Sequence, residues 1–198
     1  MARPVRIIRD MYITAMPVLL GGVSNMIFTK TPLYKNHRAP IDGGRTLSDG
    51  KRVFGDNKTW IGFGSMVALT ALSQAVWGGF VARKGLNAVH DIYRLRRNTT
   101  AFNLAYGALS GFAYAACELP NSFLKRRLDI RPGKTEQGLV GKTFFVVDQI
   151  DSLLGVFLAQ KAFSDISWAR YVQYIGMGAG THVGVNYAMY KLGIRKNW

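Results

Sequence analysis

Cysteine, glutamate and histidine are all scarce in this sequence of 198 residues. The single cysteine, Cys117, excludes an internal disulfide and any metal site built from several thiolates. The three histidines share no ligand spacing and have no Ser/His/Asp or Cys/His set around them, so nucleophilic catalysis has no candidate. Neither Gly-Lys-Thr run forms a Walker loop, because the position that requires a glycine holds Leu128 in one case and Glu136 in the other.

Acidic residues are also few, with 11 Asp and Glu against 26 Lys and Arg, which gives a net charge of +15. The chain is nevertheless 48% hydrophobic, with a mean hydropathy of +0.05. Apolar blocks alternate with charged segments, a pattern typical of a polytopic membrane protein whose basic loops face anionic lipid headgroups. We expect no nucleic-acid partner, because no basic stripe with interleaved aromatic residues stands apart from the apolar blocks.

The apolar blocks predict an all-α integral membrane protein of about five transmembrane helices, in a single domain over residues 1–198. The expected spans are residues 11–28, 60–81, 101–119, 143–163 and 171–192. Pro120 is expected to end the third span. The basic stretch from Arg83 to Arg97 is a candidate interfacial helix.

Glycines four residues apart recur in two of the expected spans, at Gly107 and Gly111 in the third and at Gly176, Gly180 and Gly184 in the fifth. Small residues at this spacing let helix backbones approach closely in lipid. We therefore expect these glycines to pack helices together rather than to bind a ligand.

Five spans place the two polar loops, residues 29–59 and 121–142, on one side of the membrane together with the C-terminal tail. Counted together with Lys191 at the end of the fifth span, these three segments hold sixteen of the 26 Lys and Arg residues. The positive-inside rule therefore predicts that they are cytoplasmic, although it leaves the basic stretch at residues 83–97 outside. We expect a multi-pass protein of the cell membrane whose two polar cytoplasmic loops form the site.

Two aspartates, Asp148 and Asp151, interrupt the fourth expected span. They are three residues apart, so they share one face of a helix. An aspartate at the centre of a spanning helix costs about 2.5–3.5 kcal/mol on insertion scales. A bound divalent cation accounts for this pair better than the alternative of a buried salt bridge. Glu118, at the end of the third span, can join them if the third and fourth spans are neighbours.

Hydrogen-bonding and cationic side chains lie just upstream of the aspartates. After a break at Pro120, Asn121 or Ser122 can cap the start of a new helix, and such an end favours phosphate. Lys125 and Arg126 follow within two turns; the alternative for them is a basic patch that snorkels to the membrane interface. Carboxylates for a metal beside cations for phosphate indicate phosphoryl or nucleotidyl chemistry.

The first polar loop is rich in turn-forming residues. It contains Pro-Ile-Asp-Gly-Gly-Arg at residues 40–45 and Asp-Gly-Lys-Arg-Val-Phe-Gly-Asp-Asn-Lys-Thr-Trp at residues 49–60. Exposed backbone N–H groups and lysine or arginine side chains can cradle a triphosphate, whereas the alternative is an ordinary solvated loop beside lipid headgroups. The candidate phosphate-binding residues of this loop are Arg52, Asp56, Lys58 and Thr59.

These motifs together resemble the signature of the CDP-diacylglycerol synthase superfamily. Ser-x-x-Lys-Arg at residues 122–126 and Asp-x-x-Asp-Ser at residues 148–152 carry the resemblance, and the two runs of the first loop are similar to the smaller branch, the CDP-archaeol synthases. The resemblance implies an integral-membrane cytidylyltransferase that joins CTP to a lipid phosphate with Mg²⁺, making CDP-archaeol or CDP-diacylglycerol and pyrophosphate. An ion-coupled transporter that uses intramembrane carboxylates is the alternative.

The resemblance also implies roles for the residues described above. The family's metal-binding aspartates fall on Asp148 and Asp151, and Glu118 falls where the larger branch has an aspartate. The expected catalytic residues are Asp148, Asp151, Lys125 and Arg126. The expected contacts to CTP and its phosphates are Arg52, Asp56, Lys58, Thr59, Asn121 and Ser122.

Overall fold

The computed structural model describes residues 3–132 and 137–193, and within them the fold is helical. The helices are α1 (Arg3–Phe28), α2 (Pro32–Asn36), α3 (Trp60–Arg83), α4 (Thr100–Arg127), α5 (Gly138–Phe163) and α6 (Trp168–Lys191). The all-helical prediction is confirmed. The Gly-Lys-Thr run that begins at residue 133 and the end of the basic C-terminal tail lie outside the described residues.

Five of these helices are long, and each covers one of the expected spans, except that α6 ends one residue before the end of the fifth. By length and composition, three of them are apolar enough to cross a membrane: α1 from Pro4, α3 and α5. The more polar helices, α4 and α6, carry the other two expected spans, so the count of five spans stays a prediction.

Side-chain caps explain where three of the long helices begin. The hydroxyl oxygens of Thr59, Thr99 and Ser167 each accept a hydrogen bond from the backbone N–H three residues later, at the starts of α3, α4 and α6. A capping hydroxyl of this kind stabilises a helix by about 1 kcal/mol. Thr59 therefore joins the first polar loop to the helical bundle.

The long helices pack in a chain of neighbours: α1 against α3, α3 against α4, α4 against α5, and α5 against α6. Helix α4 approaches α3 closely, since a Cβ atom added to Gly107 would lie 2.7 Å from the Ala71 Cα atom and one added to Gly111 would lie 2.7 Å from the Met66 carbonyl oxygen. The predicted role of these two glycines is confirmed.

The corresponding prediction for α6 is wrong. Within the described part of the chain, a Cβ atom added to Gly176, Gly180 or Gly184 would have no neighbour within 4 Å. Helix α6 instead uses the face that carries Gly178, where an added Cβ atom would lie 2.8 Å from the Leu153 side chain of α5. Spacing alone does not tell which face of a helix is packed.

Pro120 does not end α4, which continues through it to Arg127. The expected break is therefore wrong, and Asn121 and Ser122 lie inside the helix rather than at the cap of a new one. A proline removes only one backbone donor, and neighbouring helices can compensate within a membrane protein. Here the turns after Pro120 are held by side-chain contacts from Asn121 and Lys125 to Asp148 of α5.

The basic stretch between α3 and α4 folds inwards instead of forming the expected interfacial helix. Its only regular element in the structure is a short 3₁₀ turn at Asn87–Val89. His90 and Asp91 are fully buried. The Asp91 carboxylate accepts a 2.5 Å hydrogen bond from the Tyr174 hydroxyl and pairs with Arg94. Partners from α6 and from the stretch itself therefore make burial of the carboxylate tolerable.

Replacing Gly111 by leucine should destabilise the bundle, because the added side chain collides with the backbone of α3. Overpacking of this kind costs about 1–3 kcal/mol. Gly180→Leu is the matched control, because an added Cβ atom there meets open space. We expect thermal unfolding in detergent to show a lower Tm for Gly111→Leu and an unchanged Tm for Gly180→Leu. Equal Tm values would contradict the close packing of α3 and α4.

Candidate active site

The two aspartates predicted from the sequence meet one face of α4. The side-chain amide of Asn121 donates to Asp148 Oδ1 at 2.7 Å and to Asp151 Oδ2 at 2.6 Å. Lys125 Nζ lies 2.5 and 2.6 Å from the two oxygens of Asp148. The other oxygen of Asp151 accepts the backbone N–H of Ser152 at 2.6 Å. Oxygens from both carboxylates thus converge on a single nitrogen atom, and we call these four side chains (Asn121, Lys125, Asp148, Asp151) the acidic-pair cluster.

The two aspartates differ in their access to solvent. The Asp148 side chain is 40% exposed, whereas Asp151 is only 8% exposed as a whole residue. Asp151 is therefore the inner group of the pair, and Asp148 lies at the opening.

The first polar loop adds a cation beside this cluster, where the Lys58 ammonium forms an ion pair with Glu118 of α4. Burial by itself lowers the pKa of Lys58, but the charges of Glu118 and the two aspartates outweigh burial and raise it. Lys58 is therefore a protonated, mostly buried cation. Glu118, Asn121 and Lys125 share one face of α4, so this face carries the whole arrangement.

Glu118 contacts Lys58 rather than the acidic pair. Over the described part of the chain, no group of three His, Cys, Asp or Glu side chains lies close enough to hold one metal ion. The carboxylates that the structure brings together as candidate metal ligands are therefore Asp148 and Asp151. A metal-binding role for Glu118 stays a prediction.

A buried carboxylate that the sequence analysis did not select organises the first polar loop. Asp42 accepts hydrogen bonds from the backbone N–H groups of Gly44, Phe54 and Gly55 at 2.9–3.1 Å and from Arg52 Nη2 at 2.6 Å. Burial by itself raises the pKa of Asp42, but Arg52 and the three N–H groups hold it well below its usual range. The Asp-Gly-Gly turn is the sequence signal from which this residue could have been selected.

Three of the candidate phosphate-binding residues have structural partners within the loop. Arg52 pairs with both Asp42 and Asp56, at 2.6 and 2.7 Å. Thr59 is 2% exposed, caps α3 and lies 3.1 Å from the Tyr34 hydroxyl. Arg52 and Thr59 thus hold the loop in shape, and contacts of the three to CTP stay predictions.

The two remaining candidates, Ser122 and Arg126, lie buried on α4. The Arg126 side chain approaches the first loop, since a Cβ atom added to Gly55 would lie 3.7 Å from Arg126 Cδ. Its buried Nε has no hydrogen-bond partner in the described structure. A cation with an unused donor next to a glycine turn is suited to an incoming anion.

Ion pairs lock the first polar loop onto the end of α4. Lys51 Nζ donates to the Arg127 carbonyl oxygen at 2.9 Å and to Asp129 Oδ2 at 2.7 Å. Arg127 in turn lies 2.5 Å from Asp49 Oδ2. The first loop and the segment after α4 therefore lie at the same end of the bundle, in agreement with the topology inferred from the sequence.

A cavity of about 160 Å³ opens beside the Lys58–Glu118 pair, between α1, α3 and α4. Its polar lining includes Asn25, Thr29, Tyr34, Asn57, Lys58 and Glu118. We call it the polar cavity. Its amide, hydroxyl and ammonium groups are donors of the kind that bind phosphate oxygens.

A sequence profile described as CarS-like CDP-archaeol synthase matches residues 9–198. The chain belongs to this family. It is 31% identical over 183 residues to a CDP-archaeol synthase of Thermococcus onnurineus, covering 92% of this chain and 86% of that protein. It is 35% identical over 168 residues to a CDP-archaeol synthase of Methanoculleus marisnigri, covering 79% and 87% of the two chains.

A solved structure of an intramembrane enzyme for archaeal membrane lipids biosynthesis has the same fold, with a TM-score of 0.60 and 21% identity over 89% of this chain and 92% of that one. The CDP-archaeol synthase resemblance is thereby confirmed, as is the assignment to an all-helical membrane protein. Membership of the family makes the chain a cytidylyltransferase that acts on a lipid phosphate. The transporter alternative gains no support.

Replacing Asp42 by asparagine should loosen the first polar loop, because a buried acceptor for four donors loses its charge. A hydrogen bond to a charged group contributes about 1.5–3 kcal/mol, so we expect at least about tenfold faster trypsin cleavage after Lys51 or Arg52. Asp165→Asn is the control, because Asp165 is an exposed carboxylate between α5 and α6, outside the first polar loop. Equal cleavage rates in the two variants, measured by mass spectrometry, would contradict the central role of Asp42.

Proposed function

We propose that this enzyme joins CTP to a lipid phosphate with the help of Mg²⁺ and releases pyrophosphate. The observation that carries the proposal is the acidic-pair cluster at the α4–α5 contact, with the protonated Lys58 beside it. The family supplies the acceptor class, and its named relatives are CDP-archaeol synthases, which supports an isoprenoid ether glycerol phosphate as the lipid. Phosphatidate is the ester-linked substrate to compare with it.

The acidic pair fits a hard divalent cation. Oxygens of Asp148 and Asp151 already surround one point, now occupied by the Asn121 amide nitrogen. Mg²⁺ is commonly held by one or two carboxylates, with phosphate and water oxygens completing its coordination. When bound, the ion supplies positive charge to the reacting phosphates. Asp148 and Asp151 would hold the ion, and the Asn121 amide and Lys125 ammonium that contact them would donate to substrate oxygens.

The cations around the pair are suited to bind a triphosphate. Lys58 and Lys125 are paired with carboxylates, and Arg126 keeps an unused buried donor beside Gly55. In a mostly buried site such donors stabilise charge that develops in the transition state. We assign to them the CTP phosphates and the departing pyrophosphate. Arg52 and Asp56 keep the loop in the shape that presents Lys58.

The reaction needs no general base. An oxygen of the lipid phosphate is already anionic when it attacks the α-phosphorus of CTP, and the bond from that phosphorus to the β-phosphate oxygen breaks. Pyrophosphate leaves with the electron pair, so no proton has to be removed from the nucleophile.

We place the site at the cytoplasmic face of the cell membrane, where CTP is available. The support is the excess of Lys and Arg in the two polar loops and tail, and the ion pairs that join the first loop to the end of α4.

The direct test uses purified protein, CTP labelled in the cytosine ring, and either the digeranylgeranyl ether phosphate or phosphatidate. We expect labelled CDP-lipid and an equal amount of pyrophosphate, with both products lost on chelation of Mg²⁺ and restored when Mg²⁺ is added back. CDP-lipid that forms at full rate in excess chelator would remove the metal from the proposal. Absence of CDP-lipid with both acceptors would remove the proposed reaction.

Asp148→Asn should lower kcat by about 10²–10³-fold, because one carboxylate of the pair loses its charge. Asp10→Asn is the matched control, since Asp10 also lies on a long helix and, among the described residues, its carboxylate pairs with the adjacent Arg9. We expect Asp10→Asn to keep wild-type turnover and both variants to elute as folded, monodisperse protein. Wild-type kcat in Asp148→Asn would contradict the assignment of the acidic pair.

A further inference from the structure

The end of the bundle opposite the candidate active site is rich in cations without an acidic partner. It consists of the start of α1, the stretch between α3 and α4, and the connection between α5 and α6 with the helix turns beside it. Of the Lys and Arg side chains described there, Arg9 and Arg94 pair with a carboxylate. The others form no ion pair within the described residues; they are Arg6, Arg83, Lys84, Arg96, Arg97, Lys161 and Arg170.

Two arginines at this end lie beside the buried Asp91, which joins the α3–α4 stretch to α6. Tyr174 of α6 donates to one oxygen of Asp91, and Arg170 lies one turn before Tyr174 on the same face of the helix. Arg94 contacts the other oxygen through one guanidinium nitrogen and is still 43% exposed. A guanidinium carries five N–H donors, so Arg94 keeps donors for a second acceptor.

Arg96 extends this group towards α5. Its guanidinium carbon lies 5.7 Å from the ring centre of Phe163, the last residue of α5. Arg96 and the adjacent Arg97 are both exposed. Three helices and the α3–α4 stretch thus come together where several guanidinium groups face outwards. We call these side chains (Arg94, Arg96, Arg97, Arg170) the arginine cluster.

Exposed apolar side chains lie among these arginines. Leu95, between Arg94 and Arg96, is 55% exposed, and Trp168, two residues before Arg170, is 63% exposed. Tryptophan is enriched where the hydrocarbon of a membrane meets the headgroups. Cations that alternate with exposed apolar groups fit this boundary, whereas a soluble anion offers nothing for the apolar groups to contact.

We propose that the arginine cluster binds the phosphate of an anionic membrane lipid in the leaflet opposite the active site, with Leu95 and Trp168 at the edge of its hydrocarbon. The guanidinium groups donate to the phosphate oxygens, and the negative charge offsets the repulsion between them. Because the cluster spans the α3–α4 stretch and α6, the bound lipid stabilises the folded bundle.

This binding site is separate from the chemistry. The arginine cluster lies at the start of α4 and α6, whereas the acidic-pair cluster lies near the end of α4 and the start of α5. The inference therefore goes beyond the proposed function and does not depend on it. Basic pockets at the ends of transmembrane helices are a known kind of site for anionic headgroups.

The test uses the full chain in an uncharged detergent. It is titrated with dioleoyl phosphatidylglycerol, with phosphatidylcholine that carries the same chains, or with inorganic phosphate. We expect phosphatidylglycerol to raise the Tm and to stay bound in native mass spectrometry, and the other two to leave the Tm unchanged. An equal rise with phosphatidylcholine would mean contact with hydrocarbon only, and an equal rise with phosphate would mean a site for soluble anions. Either result would overturn the proposal.

The double variant Arg96→Gln, Arg97→Gln removes two unpaired cations and leaves the pair of Arg94 with Asp91 in place. We expect it to bind phosphatidylglycerol roughly tenfold or more weakly, because each cation near the membrane surface adds to the attraction. The double variant Arg96→Lys, Arg97→Lys keeps the charge and should retain more of the binding. The Tm of each variant without lipid shows that it is folded.

The double variant Lys30→Gln, Lys35→Gln is the matched control. It removes the same charge from two exposed lysines at the other end of the bundle, which form no ion pair among the described residues. We expect it to bind phosphatidylglycerol as the wild type does. Equal weakening in the two glutamine variants would show that net charge alone attracts the lipid, and the arginine cluster would then not be a site.

A labelling experiment locates the lipid directly. Phosphatidylglycerol with a photoreactive headgroup should label the α3–α4 stretch or the first turn of α6, identified by peptide mass spectrometry. Labelling confined to α2 and the first polar loop would also overturn the proposal. Neither measurement uses CTP or scores CDP-lipid, so a failure of the proposed function would leave these results unaffected.

Discussion

The contact between α4 and α5 at the acidic-pair cluster is the interaction on which the site depends. Two carboxylates on an otherwise apolar helix are costly in lipid, and α4 supplies the amide and ammonium groups that compensate them. These partners lie on the turns of α4 that follow Pro120. If the helix stopped there, the carboxylates would lose their partners, so the continuation of α4 to Arg127 is a requirement of the site.

The first polar loop brings a further charged group, Lys58, to the acidic-pair cluster. Buried side chains hold the loop in that position. Asp42 accepts hydrogen bonds from the backbone N–H groups of Gly44 and Gly55, and Thr59 fixes the loop to the start of α3. These two anchors also fix the position of Lys58, which lies just before Thr59 and pairs with Glu118. Contacts within the loop and with the end of α4 thus hold it in shape.

Charged side chains are buried to different extents at the two ends of the bundle. At the end that carries the candidate active site, Asp148 is 40% exposed, and Lys58 and Lys125 are partly exposed. In the stretch between α3 and α4, Asp91 and His90 are fully buried. Burial, with a smaller contribution from Arg94, lowers the pKa of His90 to about 3, so the ring is neutral at physiological pH. This stretch therefore serves as packing, and the polar groups suited to chemistry lie at the other end.

The sequence by itself determined the helical class, the approximate helix positions and the identity of the acidic pair, because apolar blocks and residues three apart on a helix act locally. It also determined the family through the motifs at residues 122–126 and 148–152. The tertiary structure decided those features that depend on contacts between residues far apart in the sequence. Helix α4 passes Pro120 because α5 holds the turns beyond it, Glu118 pairs with Lys58 from a loop sixty residues earlier, and Gly178 rather than Gly180 packs α6. The importance of Asp42 was also decided there, since its donors converge only when the loop closes.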